Sequence, residues 1–190
     1  NADIAAAFTK PPSSTEQVLH PERYWGAAKL DEPLRVKFEV SELPTGWSVR
    51  REDTLGELAL SIVASPDQER GGLSLEGGPM ALLGLEFTHD VARGWGGDRA
   101  ILLGDEGGAS VLRWVTHWDS ERDAAEFFGA MRMRKSALIA SARELAGGDA
   151  ALADASVEYG DDALQVEVIV RAGVKSAAAR KALRAVELAK

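Results

Sequence analysis

Apolar and polar residues alternate through Leu34, Arg35, Val36, Lys37, Phe38, Glu39 and Val40. That period of two describes a strand with one buried face. Further along, Leu55, Leu58, Ala59, Ile62 and Val63 recur every three or four positions, which predicts an amphipathic helix. Thr54 and Glu57 stand ahead of it at the spacing of a capping box, and Ser13-Ser14-Thr15-Glu16 repeats the device for a short helix that Pro21 ends. Met80, Leu83, Phe87 and Val91 predict another helix, closed by Gly94 where a left-handed residue suits a C-terminus. Residues 65–78, rich in Gly, Pro, Asp and Glu, read as an exposed loop or short hairpin.

After Gly94 the pattern becomes regular. Residues 99–104 and 109–118 are strand-like around Asp105-Glu106-Gly107-Gly108, a hairpin expectation. In the second run Leu112, Trp114, Thr116 and Trp118 share one face, which we expect to point inward. Asp119 or Ser120 is placed to cap the following helix, whose apolar rhythm runs Ala124, Phe128, Met131, Leu138, Ala142, Leu145 up to Gly147-Gly148. Residues 156–159 and 164–171 form a second hairpin around Gly160-Asp161-Asp162, and Gly173 breaks its second strand. A final helix carries Ala179, Ala182, Leu183, Val186 and Ala189 on one side.

Strands joined by short turns must be antiparallel. The chain is therefore expected to be α+β, an antiparallel sheet of about four or five strands with helices packed mainly on one face, and with the strand at 34–40 added at an edge. Residues 1–33 read as a polar lead-in with short helices and 34–190 as one α+β domain.

Gly94-Trp95-Gly96-Gly97-Asp98-Arg99 reads as a tight turn that drives an indole inward. Trp95, Trp114, Trp118 and Asp119 are the expected structural residues, while Asp98 and Arg99 hold open a ligand-binding alternative. It is no phosphate loop, since it lacks the Lys-Ser/Thr ending and leads into a strand rather than a helix.

The 22 basic and 30 acidic residues leave a formal net charge of -8, which argues against a nucleic-acid partner. Arg132, Arg134 and Lys135 form a tight basic cluster, read as a solvated helix face. The sequence has no cysteine and no transmembrane segment. It begins at Asn1 without methionine, so a leader or an upstream region is expected to have been removed.

Reactive constellations are sparse. His20, His89 and His117 are scattered, no His-Glu-x-x-His or Gly-x-Ser-x-Gly occurs, and Glu86, His89, Asp90 and Arg93 read as a polar helix face. Asp105-Glu106 and Asp161-Asp162 read as turns. We expect no metal site and no cofactor in this chain.

Two stretches carry a family likeness: Pro11-Pro12-Ser13-Ser14-Thr15-Glu16-Gln17-Val18-Leu19-His20-Pro21-Glu22-Arg23-Tyr24, and Gly94-Trp95-Gly96-Gly97-Asp98-Arg99 together with Trp118-Asp119-Ser120-Glu121. They resemble the C-terminal portion of a family of often exported bacterial and archaeal proteins. Longer members look like zinc metallopeptidases, with a His-Glu-x-x-His-like helix upstream of the Ser-Thr-Glu-Gln-x-Leu-His-Pro segment. An aromatic usually follows the Asp-Arg pair in that family, where Ala100 stands here. The resemblance implies an extracytoplasmic origin, periplasmic or secreted, and a non-catalytic accessory or binding domain that contacts protein or peptide. Its alternative is a fragment of a metal-dependent hydrolase whose zinc-binding half is elsewhere. Glu16, His20, Asp98 and Arg99 are the expected binding residues, and the oligomeric state is left open.

Overall fold

The computed structural model describes residues 8–20, 32–65, 89–145, 152–174 and 176–189. Most of the helix expected at 80–93, most of the loop at 65–78, Pro21 and Gly147-Gly148 lie outside them. Within the described end of the first of these, Asp90–Ala92 is a single 3-10 turn, and Gly94 takes φ 77 as expected.

Five strands form one antiparallel sheet: β2 (Trp47–Asp53), β3 (Trp95–Asp105), β4 (Ser110–Trp118), β5 (Asp154–Tyr159) and β6 (Gln165–Ala172), in the spatial order β2-β3-β4-β6-β5. The β3–β4 and β5–β6 hairpins are those expected from alternation. The α+β class with helices mainly on one face is likewise observed. Strand β2 escaped the sequence reading because its Ser-Val-Arg-Arg-Glu-Asp run scarcely alternates: it is a mostly exposed edge strand, with a bulge between Val49 and Arg51.

On one sheet face lie Trp95, Ala100, Trp114, Trp118, Val166 and Val168. They pack against the helices α2 (Gly56–Ala64) and α3 (Glu121–Leu145), through Leu60, Ala64, Phe127 and Met131. Phe127 contacts both indoles, edge-on to Trp114 with centroids 5.7 Å apart and tilted over Trp118 at 4.7 Å. Each such aromatic pair adds about 0.5–1.5 kcal/mol beyond the area it buries. The expected rhythm had placed Phe128 in this core. Phe128 packs against this core from its margin, half-buried, and stacks on Tyr159 of the edge strand β5 at 4.4 Å. The cap of α3 is Ser120, whose Oγ accepts the Asp123 N–H at 3.3 Å while its hydroxyl donates to the Asp123 carboxylate at 2.6 Å. Asp119 is exposed and contributes its backbone N–H to Gly94 O.

The opposite face carries Ile101, Leu103 and Val111 beneath the short helix α4 (Ser176–Leu183), through Ala179 and Ala182. Two sequence expectations are corrected here. Only Phe38–Val40 of the 34–40 run is a strand (β1), and it joins no edge of the main sheet. It pairs with Val186–Leu188 (β7), residues that had been read as the end of the last helix. Both corrections reflect long-range packing: Phe38 and Val186 pack with Ile101 and Leu103 of β3, and Arg113 of β4 donates through Nη1 to Val186 O at 2.5 Å and lies over the Phe38 ring at 5.5 Å. These contacts hold the two-stranded β1–β7 ribbon across the sheet, and neither local periodicity reveals them.

Candidate functional site

Gly94 is a turn residue with φ 77, whereas Trp95–Arg99 is not a turn but the first half of β3, with a bulge between Trp95 and Gly97. The bulge has a chemical consequence. Trp95 opposes Trp118 and Asp98 opposes Thr116, so the extra residue leaves Trp95 and Asp98 on the same face of the sheet. There the Asp98 side chain is buried, and its carboxylate collects N–H donors from three directions. Oδ1 accepts from the Trp95 indole at 3.1 Å and the Gly56 backbone at 2.8 Å; Oδ2 accepts from the Trp114 indole at 3.0 Å and the Leu55 backbone at 2.9 Å. Burial pushes the Asp98 carboxyl above the ordinary range, and these donors pull in the opposite direction.

This arrangement explains how α2 begins. Helix starts leave unpaired N–H groups, and no side chain within α2 caps them. Asp98 takes the Leu55 and Gly56 N–H groups from across the core instead. The expected Thr54–Glu57 capping box does not form, because both side chains are engaged elsewhere. Thr54 Oγ1 accepts from Arg99 Nη1 at 3.3 Å, and the fully buried Glu57 carboxylate meets His20 Nε2 at 2.9 Å. His20 is the C-cap of α1 (Thr15–Leu19), a helix started by Ser14, whose Oγ accepts the Gln17 N–H. The cap thus falls one residue later than expected. In the same place a β-carbon on Gly56 would collide with the Thr15 hydroxyl, so α1 and α2 meet at a glycine.

The four binding residues expected from sequence therefore gather around one helix start. Asp98 caps α2, His20 pairs with its first turn, Glu16 is buried in α1, and Arg99 ties β3 to Thr54. His89 and His117 lie apart from them: His89 Nδ1 accepts from Val91 N–H, and His117 Nε2 stands 3.7 Å from Asp162. Among the described residues no three His, Asp or Glu side chains gather as metal ligands would.

A groove of about 740 Å³ opens beside this junction. Its floor includes Trp95, Asp98 and Arg99, and one wall is the segment 32–38. The wall is pinned where the Leu34 N–H donates to Gly96 O at 2.6 Å; a β-carbon on neighbouring Gly97 would run into the Leu34 carbonyl. Arg99 is held by Glu52 at 2.8 Å through Nε and by Thr54 through Nη1. Arg35 and Lys37 on the wall are exposed and have no ion-pair partner among the described residues. Sequence reasoning named Asp98 and Arg99 but missed this wall, reading its alternation as a sheet strand.

No curated protein and no solved structure matches the chain. A family model does match residues 42–185, covering the five-stranded sheet with α2 to α4 and leaving α1, the groove wall and both strands of the β1–β7 ribbon outside the match. The chain belongs to that family, DUF8575, a domain of unknown function.

Proposed function

We propose that this chain is a non-catalytic binding domain of an exported protein, and that the groove beside Arg99 receives a peptide or an extended protein segment. The observation that carries this reading is the state of the groove's floor acids. Asp98 is spent on four N–H donors and Glu52 on Arg99, so neither is poised to move a proton to or from a bound molecule. What the groove does offer is shape, an apolar lining from Leu34, Val36 and Phe38, and cationic side chains at its rim.

Selection of displayed peptides on the purified protein tests this, with Leu34→Trp as the control that fills the groove from an exposed position. The expected result is a peptide family enriched on the wild type, lost on the variant, and recovered intact by mass spectrometry. Equal enrichment on both proteins, or recovery of cleaved peptide, would contradict the reading.

A second reading, a fragment of a metal-dependent hydrolase, is favoured by the pairing of His20 with the buried Glu57 carboxylate. An imidazole fixed by a carboxylate is the arrangement that surrounds many metal ligands. Stoichiometric zinc, lost in His20→Ala together with peptide cleavage, would establish it over the first reading.

A further inference from the structure

We infer that the groove selects ligands bearing a carboxylate, an Asp or Glu side chain or a peptide C-terminus, and that Arg99, Arg35 and Lys37 read it. The inference rests on the peptide-binding proposal and adds its specificity. Arg99 uses Nε and Nη1 to reach Glu52 and Thr54, while no described residue accepts from Nη2. A guanidinium held through Nε and Nη1 keeps both N–H groups of Nη2 for a ligand, a charge-assisted donor to a carboxylate oxygen. Its orientation is fixed before any ligand arrives, so little side-chain entropy is lost on binding.

Charge points the same way. Of the acids around the groove, Asp98 and Glu52 are already engaged, so Arg35 and Lys37 face Glu32 as the remaining negative group. The formal charges lining the groove balance, Arg35, Lys37 and Arg99 against Glu32, Glu52 and Asp98. With Glu52 on Arg99 and Asp98 buried, however, the exposed rim offers Arg35 and Lys37 against Glu32 alone, on a chain whose formal net charge is -8. Most of the surface therefore disfavours an acidic ligand, and this rim attracts one. Leu34, Val36 and Phe38 alternate with Arg35 and Lys37 along the wall, supplying apolar contacts between the charged ones.

The test is a degenerate peptide library bound to the purified protein and sequenced, followed by titration of fluorescein-labelled peptides of one sequence carrying Glu, Gln or Lys at the same positions. Enrichment of acidic residues or of a free C-terminus is expected, with the Glu peptide binding best and weakening as salt is raised. Arg99→Gln is expected to weaken it by about 10-fold or more, the scale of a hydrogen bond to a charged group. Arg35→Gln/Lys37→Gln alters exposed residues only, so a comparable loss there cannot be blamed on unfolding. Enrichment of neutral or basic peptides would overturn the carboxylate inference while leaving a peptide groove in place. No enrichment of any peptide would overturn both.

Discussion

The Trp114 indole N–H donates to Asp98 Oδ2 at 3.0 Å, although the two residues are diagonal rather than opposed on their paired strands. A large aromatic can span that diagonal. The contact joins two core strands to a carboxylate that also starts a helix, so one side chain coordinates the sheet, α2 and the floor of the groove.

Asparagine has the shape of aspartate but only one acceptor oxygen. In Asp98→Asn the amide nitrogen would confront N–H groups at one of the two oxygen positions, orphaning a backbone donor and an indole donor. Each buried donor left unsatisfied costs about 1–3 kcal/mol. We predict a loss of at least about 2 kcal/mol in urea unfolding; a change within experimental error would contradict the assigned hydrogen bonds.

The same group sets a pH dependence. Because burial outweighs its donors, Asp98 holds its proton more tightly in the folded protein than in the unfolded chain, where the value is 3.8. Its contribution to stability is then fully present below that value and declines as pH rises through the folded one. The stability difference between wild type and Asp98→Asn should narrow as pH rises above 3.8. Asp53, held below the ordinary range by its hydrogen bond to Arg51, works in the opposite sense, which is why the difference and not the wild-type curve is the readout. A difference that widens would mean that the four donors win over burial.

Phe127 and Phe128 are adjacent in sequence and unlike in role. Phe127→Ala is predicted to cost about 3–5 kcal/mol, as is Trp118→Ala, since both rings are fully buried. Phe128→Ala should cost clearly less, losing its stack on Tyr159 and its cation contact with Arg132. Thermal melts that reverse this ranking would refute the core described here.

From sequence, replacing His20 looks nearly silent. Against the buried Glu57 carboxylate it is not: His20→Ala removes a hydrogen bond to a group with no exposure, a change worth about 1.5–3 kcal/mol when the group is charged. His20→Gln, which keeps a donor, should restore part of it. Unfolding curves in which the alanine variant matches wild type would show that α1 contributes nothing to the domain.

What could be read from the chain, and what could not, follows from the range of each interaction. The hairpins of β3–β4 and β5–β6 are written in local alternation, and Val166 and Val168 fall on the core face as that alternation requires. The β1–β7 ribbon joins Phe38 to Leu188, and no window of sequence contains both. Residues 186–188 carry helix-compatible residues, so only the partner strand decides their state. At the site, Asp98 and Arg99 were legible as polar residues beside conspicuous glycines. Their partners were not, because Leu55 and Gly56 contribute backbone N–H groups, which every sequence position has. The Thr54–Glu57 spacing was misleading for the same reason: a capping box is local, and Arg99 and His20 compete for its members from distant segments.

Backbone hydrogen exchange with and without a peptide selected on the wild-type protein tests the groove most directly. Slowed exchange is expected within residues 34–38 and 54–56 and at Arg99, with α3 unchanged. Protection confined to α3 or to the β5 edge, with the 34–38 wall unaffected, would contradict it.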